Sequence, residues 1–392
     1  MKNKFSEESI DFIKAHQNDD PAELMLVAHK YPELPMKEIV IQIASRQKAK
    51  DKLPEWFSKD EIVFPPRQNL EQASSELTAK FKARFMEGES FADLTGGSGI
   101  DTFYLSKNFD SCTYIEPDPE LCGLARHNFE KQSAEIEVRQ EKAEEFLASS
   151  SKKLDWIFID PSRRDDCRNR VYALEDCVPN VVKLKEEFLK SAENVLIKCS
   201  PMLDIKKTLT QFRECFKVQV LAVDNEVKEL LLYMNADFKG EATIEAWNIS
   251  ERNQDVLFKF TLGEEQDSQA EIGEPAHFLY EPNSSLMKAG AYNLISSRFK
   301  LKKLHSNTHL YTSEKLVDNF PGKSLMIKEV FKPSKKEIRK RVSNGKINVI
   351  ARNYAMGANE IKKKFKLYDG GEEFLIFCEM EGEGYRAIWC LR

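Results

Sequence analysis

Phe91-Ala92-Asp93-Leu94-Thr95-Gly96-Gly97-Ser98-Gly99-Ile100-Asp101 reads as a hydrophobic strand, a glycine-rich turn and the start of a helix. Glycines in such a turn let the backbone approach a ligand closely and take positive φ. The helix behind the turn adds oriented N–H groups. Short apolar runs continue outward at 112–116, 135–139, 155–160 and 195–198, each followed by a helical pattern. Five strands alternating with helices imply a doubly wound parallel sheet. The next two runs, 218–223 and 229–234, are separated by five residues, too few for a crossover helix, and must form an antiparallel hairpin. The expected fold is therefore α/β and Rossmann-like: a mostly parallel seven-stranded sheet ending in an antiparallel hairpin. Runs at 242–249 and 256–262 extend it as a further hairpin.

Residues 1–87 read as a helical region. Asp20-Pro21 is an N-cap followed by proline at the first helical position. Helices are expected at 36–50 and 69–86, the latter with Leu77, Phe81 and Phe85 on one face. The α/β domain spans 88–265, and the acidic stretch 263–273 reads as a linker or loop. A small mixed segment follows over 274–322. The end, 323–392, alternates strand, helix, strand, helix and two strands, a compact α+β module. No internal repeat is visible.

The dinucleotide pattern G-x-G-x-x-G fits the glycine turn poorly, because aligning Gly97 and Gly99 leaves Thr102 at the third glycine position. Asp93 is awkward against a pyrophosphate but suits the ammonium of a methionyl moiety. Glu116, at the end of the second strand, is placed to accept hydrogen bonds from ribose hydroxyls, as acids there do in nucleoside-binding folds. The fourth strand ends in Asp160-Pro161-Ser162-Arg163 at the sheet's C-terminal edge, where ligands of such folds bind. This turn resembles the D/N-P-P-Y element of methyltransferases acting on exocyclic amines, and the D-P-P-R element of RNA methyltransferases. The resemblance implies S-adenosylmethionine as cofactor. The cofactor-contacting positions are then Asp93, Thr95, Gly96, Gly97, Gly99, Asp101, Glu116, Pro117, Glu141, Ala143 and Asp160. Either Glu141 stands in for the acid that such enzymes place near the adenine amine, or the adenine is held otherwise. Pro161 rigidifies the turn so that Asp160 can orient an acceptor, and transfer from a sulfonium depends mostly on such positioning. Ser162 and Arg163 complete the catalytic turn. Arg163 either grips a base or phosphate or pairs with Asp165 or Asp166.

Several stretches together resemble bacterial methyltransferases with a THUMP-like C-terminal domain, of the Bacteroidetes type. They are Gln47-Lys48-Ala49 to Lys52-Leu53-Pro54, Glu71 to Glu76, the glycine turn, the Asp160 turn, Lys198-Cys199-Ser200-Pro201-Met202-Leu203-Asp204, and Arg352-Asn353. The resemblance implies a ferredoxin-like segment before a THUMP-like end, and RNA, tRNA or rRNA, as substrate. Lys198 and Pro201 are then expected on the substrate side. Cys199-Ser200-Pro201 is similar to the Cys-x-Pro nucleophile of pyrimidine-C5 methyltransferases; packing of Cys199 in a strand end is the alternative.

The net charge of −5 hides an asymmetry. Residues 285–392 hold 22 Lys/Arg against 11 Asp/Glu, leaving −16 on the rest. Lys335, Lys336, Arg339, Lys340 and Arg341 on one helix, and Lys362, Lys363, Lys364 and Lys366 on another, form a candidate phosphate-tracking surface. Arg352, Asn353 and Tyr354 after a strand are candidate base contacts; two helices merely showing lysines to water are the alternative. Eight cysteines lie scattered without a C-x-x-C pair, so neither a zinc site nor a disulfide framework is expected. No apolar run spans a bilayer and no signal peptide is visible, so a cytoplasmic protein is expected. A methyltransferase of protein or small molecules, and a non-catalytic RNA-binding protein, are the competing readings. Oligomeric state is not legible.

Overall fold

The computed structural model describes residues 5–150, 152–163 and 174–392. The chain divides into two compact units, one comprising Met1–Phe216 and Leu230–Lys239, the other Lys217–Glu229 and Gly240–Arg392.

The first unit opens with helices α1 (Glu7–Ala15), α2 (Pro21–Leu26), α3 (Met36–Lys52), α4 (Pro54–Phe57), α5 (Arg67–Gln72) and α6 (Glu76–Ala83). Ser6 and Asp20 cap α1 and α2 through their side chains. The single helix expected at 69–86 is two, because Ala73 turns extended and Ser75 starts α6 afresh by accepting the Thr78 N–H. These helices share a core with the α/β part. Trp56, Phe64 and Leu70 pack in one buried cluster with Phe103, Tyr104, Tyr114 and Phe129. Asn128, wholly buried, accepts from the Val63 N–H and donates to the Val63 carbonyl, pairing the two segments reciprocally.

The α/β part runs β1 (Gly88–Asp93), α7 (Ile100–Leu105), β2 (Phe109–Ile115), α8 (Pro119–Lys131), β3 (Glu137–Arg139), α9 (Ala143–Ser149) and β4 (Leu154–Ile159). Then come β5 (Ser162–Arg163), β6 (Cys177–Val178), α10 (Lys185–Ser191), β7 (Ala192–Cys199) and α11 (Ile205–Gln211). Strands β8 (Cys215–Val223) and β9 (Glu226–Asn235) are joined at Asp224 and Asn225, both at positive φ (48° and 67°), which matches a two-residue hairpin turn. In this unit the strand order is β9-β7-β4-β1-β2-β3. All neighbours are parallel except β9, which runs antiparallel to β7. The sheet is thus mixed. Because β1, β2, β4 and β7 run the same way, Leu94 to Gly99, Glu116, Asp160 and Lys198 all emerge at one edge.

The second unit pairs β8 parallel with β10 (Thr243–Ile249), which pairs antiparallel with β11 (Val256–Thr261). The expected linker at 263–273 begins as a helix, α12 (Leu262–Asp267). Its start is a capping box between Thr261 and Glu264, a local signal that outweighs the acidic composition. Glu265 on α12 is buried and accepts the N–H groups of Asn293 and Leu294. There follow β12 (Phe278–Pro282), α13 (Ser284–Ala289), α14 (Tyr292–Phe299), β13 (Lys302–His305), β14 (Thr308–Ser313) and β15 (Gly322–Phe331). The chain ends in α15 (Lys335–Arg341), β16 (Asn348–Arg352), α16 (Ala358–Phe365), β17 (Glu373–Met380) and β18 (Gly384–Leu391). One seven-stranded sheet, ordered β13-β14-β12-β15-β18-β17-β16, takes strands from both of the segments expected at 274–322 and 323–392.

Candidate active site

The glycine turn is fastened from below. Asp93 is 1% exposed, and its carboxylate accepts the Thr95 N–H at 2.9 Å and the Thr102 hydroxyl at 2.6 Å. Burial pushes the Asp93 carboxyl up to about 7, against the lowering effect of those two donors and with help from the charges of Asp101 and Asp160. Thr95 also accepts the Asp160 N–H at 2.6 Å, so the glycine turn and the Asp160 turn are directly joined.

The three glycines do different things. A Cβ on Gly96 would lie 2.1 Å from the ring of the wholly buried Tyr114, and one on Gly99 would lie 2.9 Å from Phe129. Gly96 is a packing glycine, whereas Gly99 answers both to packing and to its own φ of +76°. Gly97 has φ +52°, and among the described residues a Cβ there would meet only the Thr95 carbonyl, at 3.6 Å. The Gly97 N–H donates to Glu116 Oε2 and the Asp118 N–H to Oε1, each at 3.0 Å. Burial raises the Glu116 pKa, and these backbone donors partly offset it. Each carboxylate oxygen retains a second lone pair for a further donor. Glu116 and Gly97 therefore frame one face at the sheet edge, with Pro117 exposed beside them.

A buried ionic cluster underlies the Asp160 turn. Asp101, on the first turn of α7, is 9% exposed. It accepts the Ser74 hydroxyl at 2.7 Å and pairs with Lys82 at 3.1 Å. Burial pushes its pKa up, but the charges of Lys82 and Lys198, and the Ser74 and Lys82 hydrogen bonds, hold it below the usual carboxylate range. Lys198 lies 3.8 Å from Asp101 and donates to Asp160 Oδ2 at 2.5 Å. Lys198, expected as a substrate contact, is the partner of Asp160, and Ser74 and Lys82 join it without any local signal in the sequence. Their segments lie far apart along the chain, so no spacing signals the cluster.

The remaining candidates are placed as follows. Pro161 is half-buried, and Ser162 is exposed and donates to the Val178 carbonyl at 3.3 Å. Arg163 pairs with Cys177 through its backbone, and its side chain lies outside the described atoms, as do Asp165 and Asp166. Glu141 pairs with Arg139 at 2.8 Å, and Ala143 is buried at the start of α9. Pro201 is half-buried. Cys199 is 6% exposed, and burial raises its thiol well above the usual range, opposite to what a thiolate nucleophile needs. In the second unit Lys336, Arg339 and Lys340 are exposed on α15, where the charges of Lys336 and Lys340 help to lower the Glu337 pKa. Arg341 beside them pairs with Glu329 and Glu337, and Arg352 pairs with Glu281 at 2.5 Å.

A parallel sheet with an antiparallel last strand, a glycine cradle open at Gly97 and an Asp-Pro turn tied to that cradle define a class: S-adenosylmethionine-dependent methyltransferases. Residues 278–321 match a ferredoxin-like domain family, and 322–392 match a THUMP domain-like family. The chain is 30% identical to an inferred methyltransferase from Porphyromonas gingivalis W83. That match covers 99% of both chains with a TM-score of 0.86. The chain belongs to the same family, methyltransferases with a THUMP-like C-terminal domain. A further match is TrmK of M. capricolum bound to S-adenosylhomocysteine, 12% identical, covering 45% of this chain and 71% of that one, with a TM-score of 0.33. No curated protein matches. Among the described residues no helix is long and apolar enough to cross a membrane, and no His, Cys, Asp and Glu cluster is arranged to hold a metal.

Proposed function

We propose that this enzyme methylates a base of tRNA or rRNA, with the acceptor held by Asp160. The observation that carries the site is the hydrogen bond from the Asp160 N–H to Thr95. It ties the acceptor turn to the cofactor loop, so that two reactants held there meet in a fixed geometry. Gly97 and Glu116 hold the cofactor: the open cradle admits the nucleoside, and Glu116 accepts from the ribose hydroxyls. Bound S-adenosylmethionine supplies a methyl group on a sulfonium. Asp160 Oδ2 is taken by Lys198, which leaves Oδ1 to accept an N–H of the incoming base. The raised Cys199 thiol favours a nitrogen acceptor over a pyrimidine carbon, which needs a thiolate.

RNA as the substrate class is supported by the THUMP-like match and by the exposed cations Lys336, Arg339 and Lys340 of α15. The test is transfer of labelled methyl from S-adenosylmethionine to extract of a strain lacking the gene, with RNA and protein fractions counted separately. Label is expected in RNA. Asp160→Ala should bind S-adenosylhomocysteine normally and lose about 10²-fold in rate, the scale of lost orientation. Label confined to protein or small molecules would overturn the substrate, and full activity of Asp160→Ala would overturn the site.

A further inference from the structure

Beneath Asp160 runs a line of alternating charge: Lys82, Asp101, Lys198, Asp160. Lys82 is wholly buried and Lys198 is 9% exposed, so both ammonium groups sit where an uncompensated charge is expensive. The line comes from α6, the first turn of α7, the end of β7 and the end of β4. Its spacing is uneven. Lys198 stands 3.8 Å from Asp101 but 2.5 Å from Asp160, so its ammonium is committed to the half-exposed carboxylate at the open end. At the closed end Asp101 is held by Ser74 and Lys82. Asp160 is thus fixed twice, through its main chain by Thr95 and through its side chain by Lys198. A carboxylate with one oxygen pinned can present the other in only a narrow range of directions.

We infer that Lys198 is a positioning residue for methyl transfer: it acts through Asp160, setting which carboxylate oxygen meets the acceptor, and the Ser74–Lys82–Asp101 cluster sets Lys198. The inference rests on the assignment of Asp160 made above. It also gives the α5–α6 segment a part in the chemistry, since Ser74 and Lys82 hold the far end of the line.

The experiment is a double-mutant cycle in the full-length protein: wild type, Lys198→Met, Asp160→Ala and the double variant, with Lys198→Arg as the conservative variant. Transfer of labelled methyl to total extract of the deletion strain gives kcat and KM, calorimetry gives S-adenosylhomocysteine affinity, and thermal denaturation reports folding. Lys198→Met should lower kcat by about 10- to 100-fold, as expected for lost orientation, with cofactor affinity unchanged. Lys198→Arg should recover much of the loss. Against Asp160→Ala the second substitution should add nothing, because groups acting as a unit are not additive. Wild-type kcat in Lys198→Met, or a loss that adds in full to that of Asp160→Ala, overturns the inference. Parallel loss of cofactor affinity and melting temperature in both Lys198 variants overturns it too, by showing a role in folding alone. Full activity of Asp160→Ala marks a failure of the site itself, and label outside the RNA fraction a failure of the substrate alone.

Discussion

Gly97→Ala is the sharpest probe of the cofactor cradle, because the structure separates its cost to the fold from its cost to binding. Among the described residues the added Cβ meets no atom nearer than the Thr95 carbonyl at 3.6 Å, so the fold loses what an alanine at φ +52° costs, about 1–2 kcal/mol. In a body of this size that lowers the melting temperature by about 2–8 °C. On the cofactor placement proposed above, the same Cβ crowds the nucleoside beside Gly97 and Glu116, which are joined by the Gly97 N–H. A displacement that costs one good hydrogen bond to a charged group, about 1.5–3 kcal/mol, weakens S-adenosylhomocysteine roughly 10- to 100-fold. Gly96→Ala is the contrasting variant. Its Cβ would lie 2.1 Å from Tyr114, whose hydroxyl donates to the Gly97 carbonyl at 2.7 Å, so the ring and the turn must both shift. Overpacking of that kind costs about 1–3 kcal/mol or more, and stability and binding should fall together. Calorimetry with S-adenosylhomocysteine and thermal denaturation on both variants decide the matter. Undiminished binding by a folded Gly97→Ala protein would refute the placement of the cofactor over this turn.

Cys199→Ala should retain most transfer activity, since burial holds the thiol protonated; an inert but folded variant would show a carbon acceptor and a nucleophilic cysteine. Reversing charge at Lys336, Arg339 and Lys340 should weaken binding to total tRNA and lower its log–log salt slope by about 2–3, roughly one for each phosphate no longer neutralised. An unchanged slope would move the RNA surface elsewhere. Asp93 is raised from 3.8 to about 7, so between those pH values the folded state holds a proton that the unfolded state has lost. Stability from this group is therefore lost as pH rises through that window, by no more than about 4 kcal/mol. Asp93→Asn should remove that slope, and urea unfolding at pH 4.5 and 7.5 should show the variant gaining on the wild type at the higher pH. A difference independent of pH would be inconsistent with a buried, protonated Asp93.

The sequence by itself determined what is encoded within one turn or one strand. The run Phe91 to Asp101 reads as strand, turn and helix because alternation, glycine and the helical start are local signals. The five-residue gap before 229 excludes a crossover by length alone. Asp160-Pro161 reads as a turn at a strand end without reference to any distant residue, and the structure places it just after β4. Local signals also reach their limit inside a segment: composition hid α12, although Thr261 and Glu264 spell its cap.

Tertiary structure decided whatever depends on what stands opposite. Gly96, Gly97 and Gly99 are one residue type in one turn, yet Gly96 clears Tyr114, Gly97 takes a positive φ, and Gly99 does both, clearing Phe129 at φ +76°. Burial, set by neighbouring elements, raised Cys199 and made Asp93 a fastening beneath the turn. The β12–β15 pairing made one sheet of two segments that look separate along the chain. Ser74 and Lys82, Asp101, Asp160 and Lys198 converge from four places in the sequence. An ion pair depends on ångström separations in a desolvated interior, and separation along the chain carries no information about them.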